Sequence, residues 1–401
     1  MRVVHCITGL SGDGAQRMLL RLADGLQRRG VENFVISLSK REPLAEAFEA
    51  RGIPVHTINV SPNLQGIAAL FKLRSLLSEL SPDLLQGWMY HANVLLTMVR
   101  PFLFRKVPVA WNMRRGTENL DDLKFATRMV VHANRWLSSR PDIIIYCTSE
   151  SRQQHEALGF NRERGVVIGN GFDLDQFVKS PNTRRSIRER FGIADTDILI
   201  GNIGRDDIAK GRPHLIEAFA AVLTWIPHAR LMLVGRGMSE TNPELRRLLV
   251  SWGVASRVIL VGEYSPSSEL YPAMDILCSS SVAEGFPNVI AEAMCCEVPC
   301  VATDVGNTRE LLDGVGVVVP PRSAACLAEA LAAVCREGRE GWSERGARGR
   351  SRIAEVYSLD RVVDEYAQLY NEMIGVGRPS RGEIRGIPSG VSPDRPEHLR
   401  V

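Results

Sequence analysis

The 401-residue chain contains no long apolar run. Its longest uncharged stretch, Gly52 to Phe71, is interrupted by His56, Asn59, Pro62, Asn63 and Gln65, residues that a lipid-spanning helix does not carry together. The opening Met1-Arg2-Val3-Val4-His5-Cys6 runs straight into a strand pattern, without the apolar core and small-residue cleavage site of a signal peptide. Charge of one sign is also lacking. A formal net charge of +3 excludes a dedicated nucleic-acid binder, which would show a strong basic excess. The eight cysteines have no regular spacing, and Cys295-Cys296 with Cys300 lack the further Cys or His partners of a zinc site. They read as reduced core thiols, so the expected setting is the cytoplasm and no metal is expected. Repeats of 20 to 50 residues are missing too, which sets aside solenoids and propellers.

What the chain does have is enough apolar sequence, 45% against 24% charged, to bury more than one core. Short β-branched runs alternate with amphipathic segments, the pattern of parallel strands joined by crossover helices. The first half predicts strands at Val3–Thr8, Phe34–Leu38, Val55–Val60, Leu84–Trp88, Val107–Trp111 and Ile143–Cys147. Between the first two, Ala15–Arg29 places Met18, Leu19, Leu22 and Leu26 on one helical face, and Gly30 supplies a stop. The second half restarts with Ile198–Ile203, Leu231–Val234, Val258–Val261, Ile276–Cys278, Val301–Thr303 and Val317–Val319. Two doubly wound α/β domains follow, one over 1–168 and one over 173–357. The junction Ile168-Gly169-Asn170-Gly171-Phe172-Asp173 is expected to be a hinge whose glycines supply unusual backbone angles. A helix over 358–374 is placed so that it can return to the first domain. The Gly-, Pro-, Ser- and Arg-rich segment 375–401 is expected to be disordered. Open α/β sheets bind ligands beyond the carboxyl ends of their strands, so two facing sheets put the reaction in the cleft between them.

The most informative string is Glu284-Gly-Phe-Pro-Asn-Val-Ile-Ala-Glu292. It sets one carboxylate in a Gly/Pro loop and a second, eight positions on, in the helix that the loop opens, with Asn288 read as the N-cap. Orphan N–H groups at that helix start attract anions, while carboxylates accept hydrogen bonds from hydroxyls. A nucleotide sugar carries both kinds of group. Gly204-Arg205-Asp206-Asp207-Ile208-Ala209-Lys210-Gly211 follows a predicted strand and offers two cations to neutralise a diphosphate, although two solvated loop cations are the plainer reading of that string alone. Gly9-Leu10-Ser11-Gly12-Asp13-Gly14 is not the G-x-G-x-x-G of a dinucleotide site. Its glycines Gly12 and Gly14 either let backbone amides approach a phosphate or sugar, or make a structural turn. Trp88 to Asn93 and Trp111 to Gly116 follow strands of the first half and offer His91, Asn93 and Arg114 to an acceptor. His91 either positions or deprotonates an acceptor hydroxyl, or simply packs. Arg100, Arg105, Lys106, Arg114, Arg115 and Arg128, interleaved with Phe102, Leu103 and Phe104, form either a surface for anionic lipid or an ordinary solvated face.

Together these residues resemble the retaining family 4 glycosyltransferases of GT-B fold, over nearly the whole chain to about Ile374. The E-x(7)-E motif Glu284 to Glu292 is the most specific element. Gly204-Arg205 with Lys210-Gly211, the segment Gly169 to Asp173 and the Gly12–Gly14 loop match as well. The forms of Thr8-Gly9-Leu10 and of the Glu-Gly-Phe-Pro-Asn string look like the branch acting on bacterial surface polysaccharides, lipopolysaccharide or capsule. The resemblance implies two Rossmann-like domains facing across a cleft, and a nucleoside-diphosphate sugar, UDP-linked, held mainly by the second domain. It implies transfer of a hexosyl or N-acetylhexosaminyl unit with retention to a saccharide or polyprenyl-diphosphate-linked acceptor. Arg205 and Lys210 would grip the diphosphate, Glu284 with Gly285, Phe286, Pro287, Asn288 and Val289 would meet the sugar and phosphates, and Glu292 would take the ribose. No cofactor or metal is needed, because fixed cations stabilise the leaving group. Peripheral contact with the cytoplasmic face of the inner membrane belongs to the same picture, and no nucleic-acid partner does. The chain departs from the family at Asp13-Gly14-Ala15-Gln16, where Gly-Gly-Ala-Glu is usual, and at Asn112 to Arg115, where many members carry a histidine. An epimerase of the same fold, recognisable by needing no acceptor, and a non-catalytic nucleotide-sugar binder are the alternatives.

Overall fold

The structure, a computed structural model, describes residues 1–59, 66–117 and 125–375. The expected strand end at Val60 and the expected disordered tail beyond Gly375 lie outside the described residues.

The first sheet contains β1 (Arg2–Ile7), β2 (Glu32–Ser37), β3 (Val55–Thr57), β4 (Leu84–Trp88), β5 (Val109–Met113), β6 (Ile143–Tyr146) and β7 (Gly165–Val167). The second contains β8 (Ile198–Ile203), β9 (Ala229–Val234), β10 (Val258–Gly262), β11 (Ile276–Ser279), β12 (Cys300–Thr303) and β13 (Val317–Val319). Their orders are β3-β2-β1-β4-β5-β6-β7 and β10-β9-β8-β11-β12-β13, and every paired strand is parallel. The helices of the first half are α1 (Gly14–Arg28), α2 (Leu44–Glu49), α3 (Gly66–Leu80), α4 (Met89–Val99), α5 (Phe125–Leu137) and α6 (Ser149–Ala157). Then come α7 (Pro181–Arg190), α8 (Arg212–Trp225), α9 (Pro243–Ser251), α10 (Asn288–Cys295), α11 (Thr308–Leu311), α12 (Ala324–Val356) and α13 (Leu359–Ile374). This is the doubly wound GT-B architecture, with an α/β sheet in each half.

Local sequence explains the elements. Met18, Leu19, Leu22 and Leu26 of α1 are buried, and the chain leaves the helix through Gly30 at φ +79°, a conformation that strains any other residue. β5 begins two residues later than the spacing suggests, because Pro108 has no N–H to give the ladder and contributes only its carbonyl, which accepts from Leu85 N. α12 bends at Gly338, φ 67° and ψ −172°, so it is two helical limbs joined at a kink.

The last helix packs on the first. Tyr366 and Tyr370 of α13 are buried in the first core, and a Cβ on Gly25 of α1 would lie 2.6 Å from Val363 Cγ2. Where the chain passes between the halves, Phe172 N donates to Tyr357 O and Leu359 N to Phe172 O, both at 2.9 Å. The expectation that Gly169 to Gly171 adopt unusual angles does not hold, since none of the three is left-handed. Gly171 is required for room instead: a Cβ there would lie 2.9 Å from Leu359 Cα.

Among the described residues no helix is long and apolar enough to cross a membrane. Seven cysteines are buried and Cys326 is half-buried, and burial pushes the Cys6, Cys295 and Cys335 thiols up to about 12, far from reactive thiolates.

Candidate functional site

The loop after β8 and the loop after β11 are laced together by their backbones. Val282 N donates to Ala209 O at 2.7 Å, and Ser280 Oγ donates to Lys210 O at 2.9 Å. Gly211 sits at φ +60°, and a Cβ there would collide with Ser280 O, so no side chain fits. The lacing puts Lys210 Nζ in an ion pair with Glu284 Oε1, which also accepts from Ser281 Oγ at 2.7 Å. Arg205 lies on the same loop, its Nε 3.0 Å from Asp207 Oδ2. Asp207 caps the short turn to Lys210, and the Ala209 amide, followed by Arg205, holds its carboxyl below the usual range. Two cations and a carboxylate thus stand at the carboxyl edge of β8 and β11.

Arg212 supports this loop, and its role was missed from sequence. Its Nη2 donates to Gly204 O at 2.6 Å and Arg205 O at 2.7 Å, and its Nη1 to Asn202 Oδ1 at 3.2 Å. Burial drives its guanidinium down to about 10, with Asp206 and Asp207 opposing the shift. The only signal was a cation set beside Pro213 at a helix start.

The helix after Glu284 differs from the expected one in its first residue. Asn288 is inside α10 and Pro287 is the capping residue, because Asn288 turns its side chain outward to accept from Asn170 Nδ2 at 2.7 Å. Two of the opening amides are already used, Asn288 N on Phe286 O at 2.9 Å and Ile290 N on Pro287 O at 3.0 Å. Phe286 stacks on Phe172 at 5.8 Å and meets Tyr357 edge-on, so its ring anchors the loop in the core between the halves. Pro287 is buried as well, while Gly285 and Val289 are half-buried.

Glu292 is one turn into α10 and 8% exposed, with both oxygens engaged. Tyr271 Oη donates to Oε2 at 2.7 Å, and Arg21 of α1 pairs with Oε1 at 3.1 Å. Arg21 also donates to Gly171 O at 3.2 Å and lies over the Phe172 and Phe177 rings. Neither partner was anticipated. Arg21 gives one hint, an arginine three residues after Met18 at the margin of an apolar stripe.

The first half closes on this site. A Cβ on Gly14 would lie 2.9 Å from Asn288 Nδ2, and one on Gly285 would lie 2.9 Å from Arg115 Cα. Asp13 Oδ1 comes within 3.6 Å of Arg205 Nη1. The Gly12 loop offers fewer free amides than expected. Gln16 Oε1 accepts from Gly12 N at 2.6 Å and Asp13 N at 2.7 Å, and Glu42 accepts from Leu10 N.

The acceptor residues fare differently. His91 is exposed in the first turn of α4. Asn93 is not available, since it is fully buried with Nδ2 on Met113 Sδ at 3.5 Å and its Cα backbone against Gly87. Arg114 also departs from the expectation. Its Nη1 donates to Ile168 O, Gly169 O and Asn170 Oδ1 at 3.1, 3.2 and 2.9 Å, and its Nη2 donates to Tyr366 Oη. Carbonyls of the crossing segment claim this guanidinium, so it ties that segment and the last helix to the first half rather than facing a ligand.

Two family models match consecutive stretches that cover most of the described chain. Residues 13–171 match the glycosyl transferase 4-like domain and residues 197–337 match glycosyl transferases group 1, the stretch holding Arg205, Lys210, Glu284 and Glu292. The chain belongs to the GT-B glycosyltransferases. This glycosyltransferase is 31% identical over 255 residues to a D-inositol 3-phosphate glycosyltransferase of Geodermatophilus obscurus, a match covering 61% of the chain and 53% of the relative. It is 24% identical to the lipopolysaccharide core mannosyltransferase LpsB of Rhizobium meliloti, over 66% of the chain and 79% of that protein. The match thus spans about half the length of the first relative. Among solved structures, HepE of Anabaena in complex with UDP superimposes with a TM-score of 0.81 at 21% identity, covering 93% of this chain and 100% of that one. WaaG, a glycosyltransferase involved in lipopolysaccharide biosynthesis, gives 0.69 at 19% identity, covering 92% and 99%.

Proposed function

We propose that this glycosyltransferase moves a hexosyl or N-acetylhexosaminyl unit, with retention, from a UDP-sugar to a saccharide or polyprenyl-diphosphate-linked acceptor in surface polysaccharide biosynthesis. The observation that carries the reading is the Lys210–Glu284 pair beside Arg205 at the carboxyl edge of the second sheet. A diphosphate placed there meets two cations, and a sugar attached to it meets the carboxylate. In the transfer, the bond from the anomeric carbon to the diphosphate breaks with its electron pair going to the diphosphate. The acceptor oxygen bonds to the anomeric carbon, and its proton ends on the released UDP. Arg205 and Lys210 stabilise the charge that develops on the leaving group. Glu284 orients the sugar, with backbone from Gly285 to Val289 alongside, and Glu292 accepts from the ribose hydroxyls through the lone pairs that Arg21 and Tyr271 leave free. The UDP in the HepE complex and the lipopolysaccharide role of LpsB favour the donor and the pathway named here.

The same reading makes 1–168 the acceptor-side unit and 173–357 the donor-side unit. It also includes peripheral contact with an anionic membrane on the cytoplasmic side. Phe125, Met129 and Trp136 form one exposed stripe on α5, and Phe71, Phe102 and Phe104 stand exposed around α3 and α4. Lys72, Arg105, Lys106 and Arg135 accompany them, the mixture of apolar and basic groups that an anionic interface favours.

The test is a screen of UDP- and GDP-sugars with a polyprenyl-diphosphate saccharide, reading nucleotide release and the product's anomeric configuration by NMR. UDP release that Glu292→Ala abolishes, with a retained anomer, is the expected result. Product formed from donor alone, or an inverted anomer, would replace the reading.

A further inference from the structure

Glu292 of α10 is held by residues from two other parts of the chain. Its Oε2 accepts at 2.7 Å from Tyr271 Oη, in the short turn before β11, and its Oε1 pairs at 3.1 Å with Arg21 from α1 of the first half. The two partners share a wall. Arg21 lies over the Phe177 ring at 5.7 Å, and Tyr271 meets the same ring edge-on at 5.9 Å. That ring sits on a pinned turn, because Arg350 of α12 donates to Phe177 O at 3.0 Å and to Leu174 O at 3.1 Å. Arg21 is tied a second time through Gly171 O at 3.2 Å and covers the Phe172 ring. Burial, followed by the charge of Glu292, holds the Tyr271 phenol well above its usual range, so it remains the donor.

A carboxylate has about four acceptor positions, shared between its two oxygens. Tyr271 and Arg21 take one on each oxygen from rigid supports, which fixes the plane of the group and leaves acceptor capacity on both oxygens. Two O–H donors on adjacent carbons fit such a pair, whereas a single hydroxyl uses only half of it. A ribonucleotide carries that cis-diol at its 2′ and 3′ carbons, and a deoxyribonucleotide does not. Hydrogen bonds to a charged acceptor are the strong ones, but they weaken steeply when misaligned. With either support gone, the carboxylate turns and no longer matches the diol.

We propose that Arg21 and Tyr271 are positioning residues that hold Glu292 for a cis-diol, so that the preference for a ribonucleotide over a deoxyribonucleotide donor is set partly from the first half. The inference rests on the glycosyl-transfer reading, in which Glu292 takes the ribose, and deepens it by adding what selects that ribose. Neither residue takes part in the bond exchange itself.

The experiment measures, by calorimetry on the full chain, the affinities for UDP and for 2′,3′-dideoxy-UDP, which has no ring hydroxyl to donate. The wild type should prefer UDP by about 100-fold, about tenfold for each hydroxyl bonded to a charged group. Tyr271→Phe keeps the ring and Arg21→Met keeps an apolar stem over the phenylalanines, and each should lower that preference about tenfold by weakening UDP alone. Affinity for the dideoxy analogue stays unchanged, which also shows that the variants are folded, and Glu292→Ala removes the preference altogether. A residue whose variant keeps the wild-type preference while Glu292→Ala loses it is not a positioning residue, and the donor reading stands. Equal weakening of UDP and the dideoxy analogue makes Arg21 and Tyr271 structural and overturns the inference. A wild type that binds both nucleotides equally takes Glu292 away from the ribose, and the inference falls while the UDP donor remains. If the wild type has no affinity for UDP, the transfer reading fails and the inference fails with it.

Discussion

The two halves are wound alike, yet the polar groups at their carboxyl edges have opposite fates. In the second half Arg205, Lys210 and Glu284 are held at the edge by the lacing of two loops, Lys210 paired with Glu284 and Arg205 with Asp207, and are 14 to 50% exposed at the side chain. In the first half Asn93, Arg114 and His5 turn inward, onto Met113, the crossing segment and Trp88. One edge gathers two cations and a carboxylate on laced loops, and the other is arranged around the protein's own backbone. In the proposed transfer a donor diphosphate asks for cations, whereas an acceptor wall is a matter of shape.

The largest effect that sharpens this contrast is acid. His5 and His155 are buried in the first half, and burial pulls each imidazole down to about 4, against weaker opposing hydrogen bonds. The folded value lies below the unfolded one of 6.5, so between those values the unfolded chain takes up a proton that the folded chain refuses. Stability is therefore intact above about pH 6.5 and falls toward pH 4, by about 3 kcal/mol per histidine at 1.36 kcal/mol per unit. In the second half His214 is half-buried and His228 exposed. Hydrogen exchange followed from pH 7 to 4.5 is expected to lose protection in β1–β7 before β8–β13. Simultaneous loss in both sheets would erase the distinction.

Next in size is Lys210→Ala. Removing a donor aimed at developing negative charge costs about 2.7–4 kcal/mol, so UDP release should fall about 100- to 1,000-fold. The variant also leaves Glu284 without its cation, and Ser281 remains its recorded partner. A loss below about tenfold would move Lys210 out of the reaction and into loop structure.

How far the sequence disclosed all this depends on the kind of constraint. Alternating β-branched runs and helical periods revealed both sheets and most strand positions, since burial on two faces leaves a mark in every residue of a strand. The edge strand β7, three residues long, left almost none. Glu284, Lys210 and Arg205 were legible because glycines fix their loops, as at Gly211. Arg21, Tyr271 and Arg212 were not, because they act across the fold, and nothing near Tyr271 in the chain announces Glu292 21 residues later. Arg114 was misread for the same reason. Its carbonyl partners lie 54 and 55 residues away.

Arg114→Ala is the matching lesion in the first half. It strips a partner from the carbonyls of Ile168 and Gly169 and from Tyr366, and unsatisfied buried groups cost about 1–3 kcal/mol each. The expected readout is a lower Tm, with the affinity for UDP altered less than the stability. A variant that melts normally and binds UDP poorly would return Arg114 to the ligand.

The smallest effect concerns a second charged contact between the halves, more exposed than the Arg21–Glu292 pair. Asp13 reaches across to Arg205, in a loop where the family usually has glycine, and in the proposed function its carboxylate competes with the donor diphosphate for that cation. The side chains are 50 and 62% exposed, so the pair itself is worth about 0–1 kcal/mol. Displacing it is then a minor toll on donor binding. Asp13→Asn should lower the KM for the UDP-sugar by at most about fivefold at low salt, the equivalent of about 1 kcal/mol. The difference should vanish in about 1 M salt, where the screening length shrinks to about 3 Å. A KM that rises instead would mean that Asp13 holds the first half against the site and helps the donor more than it competes.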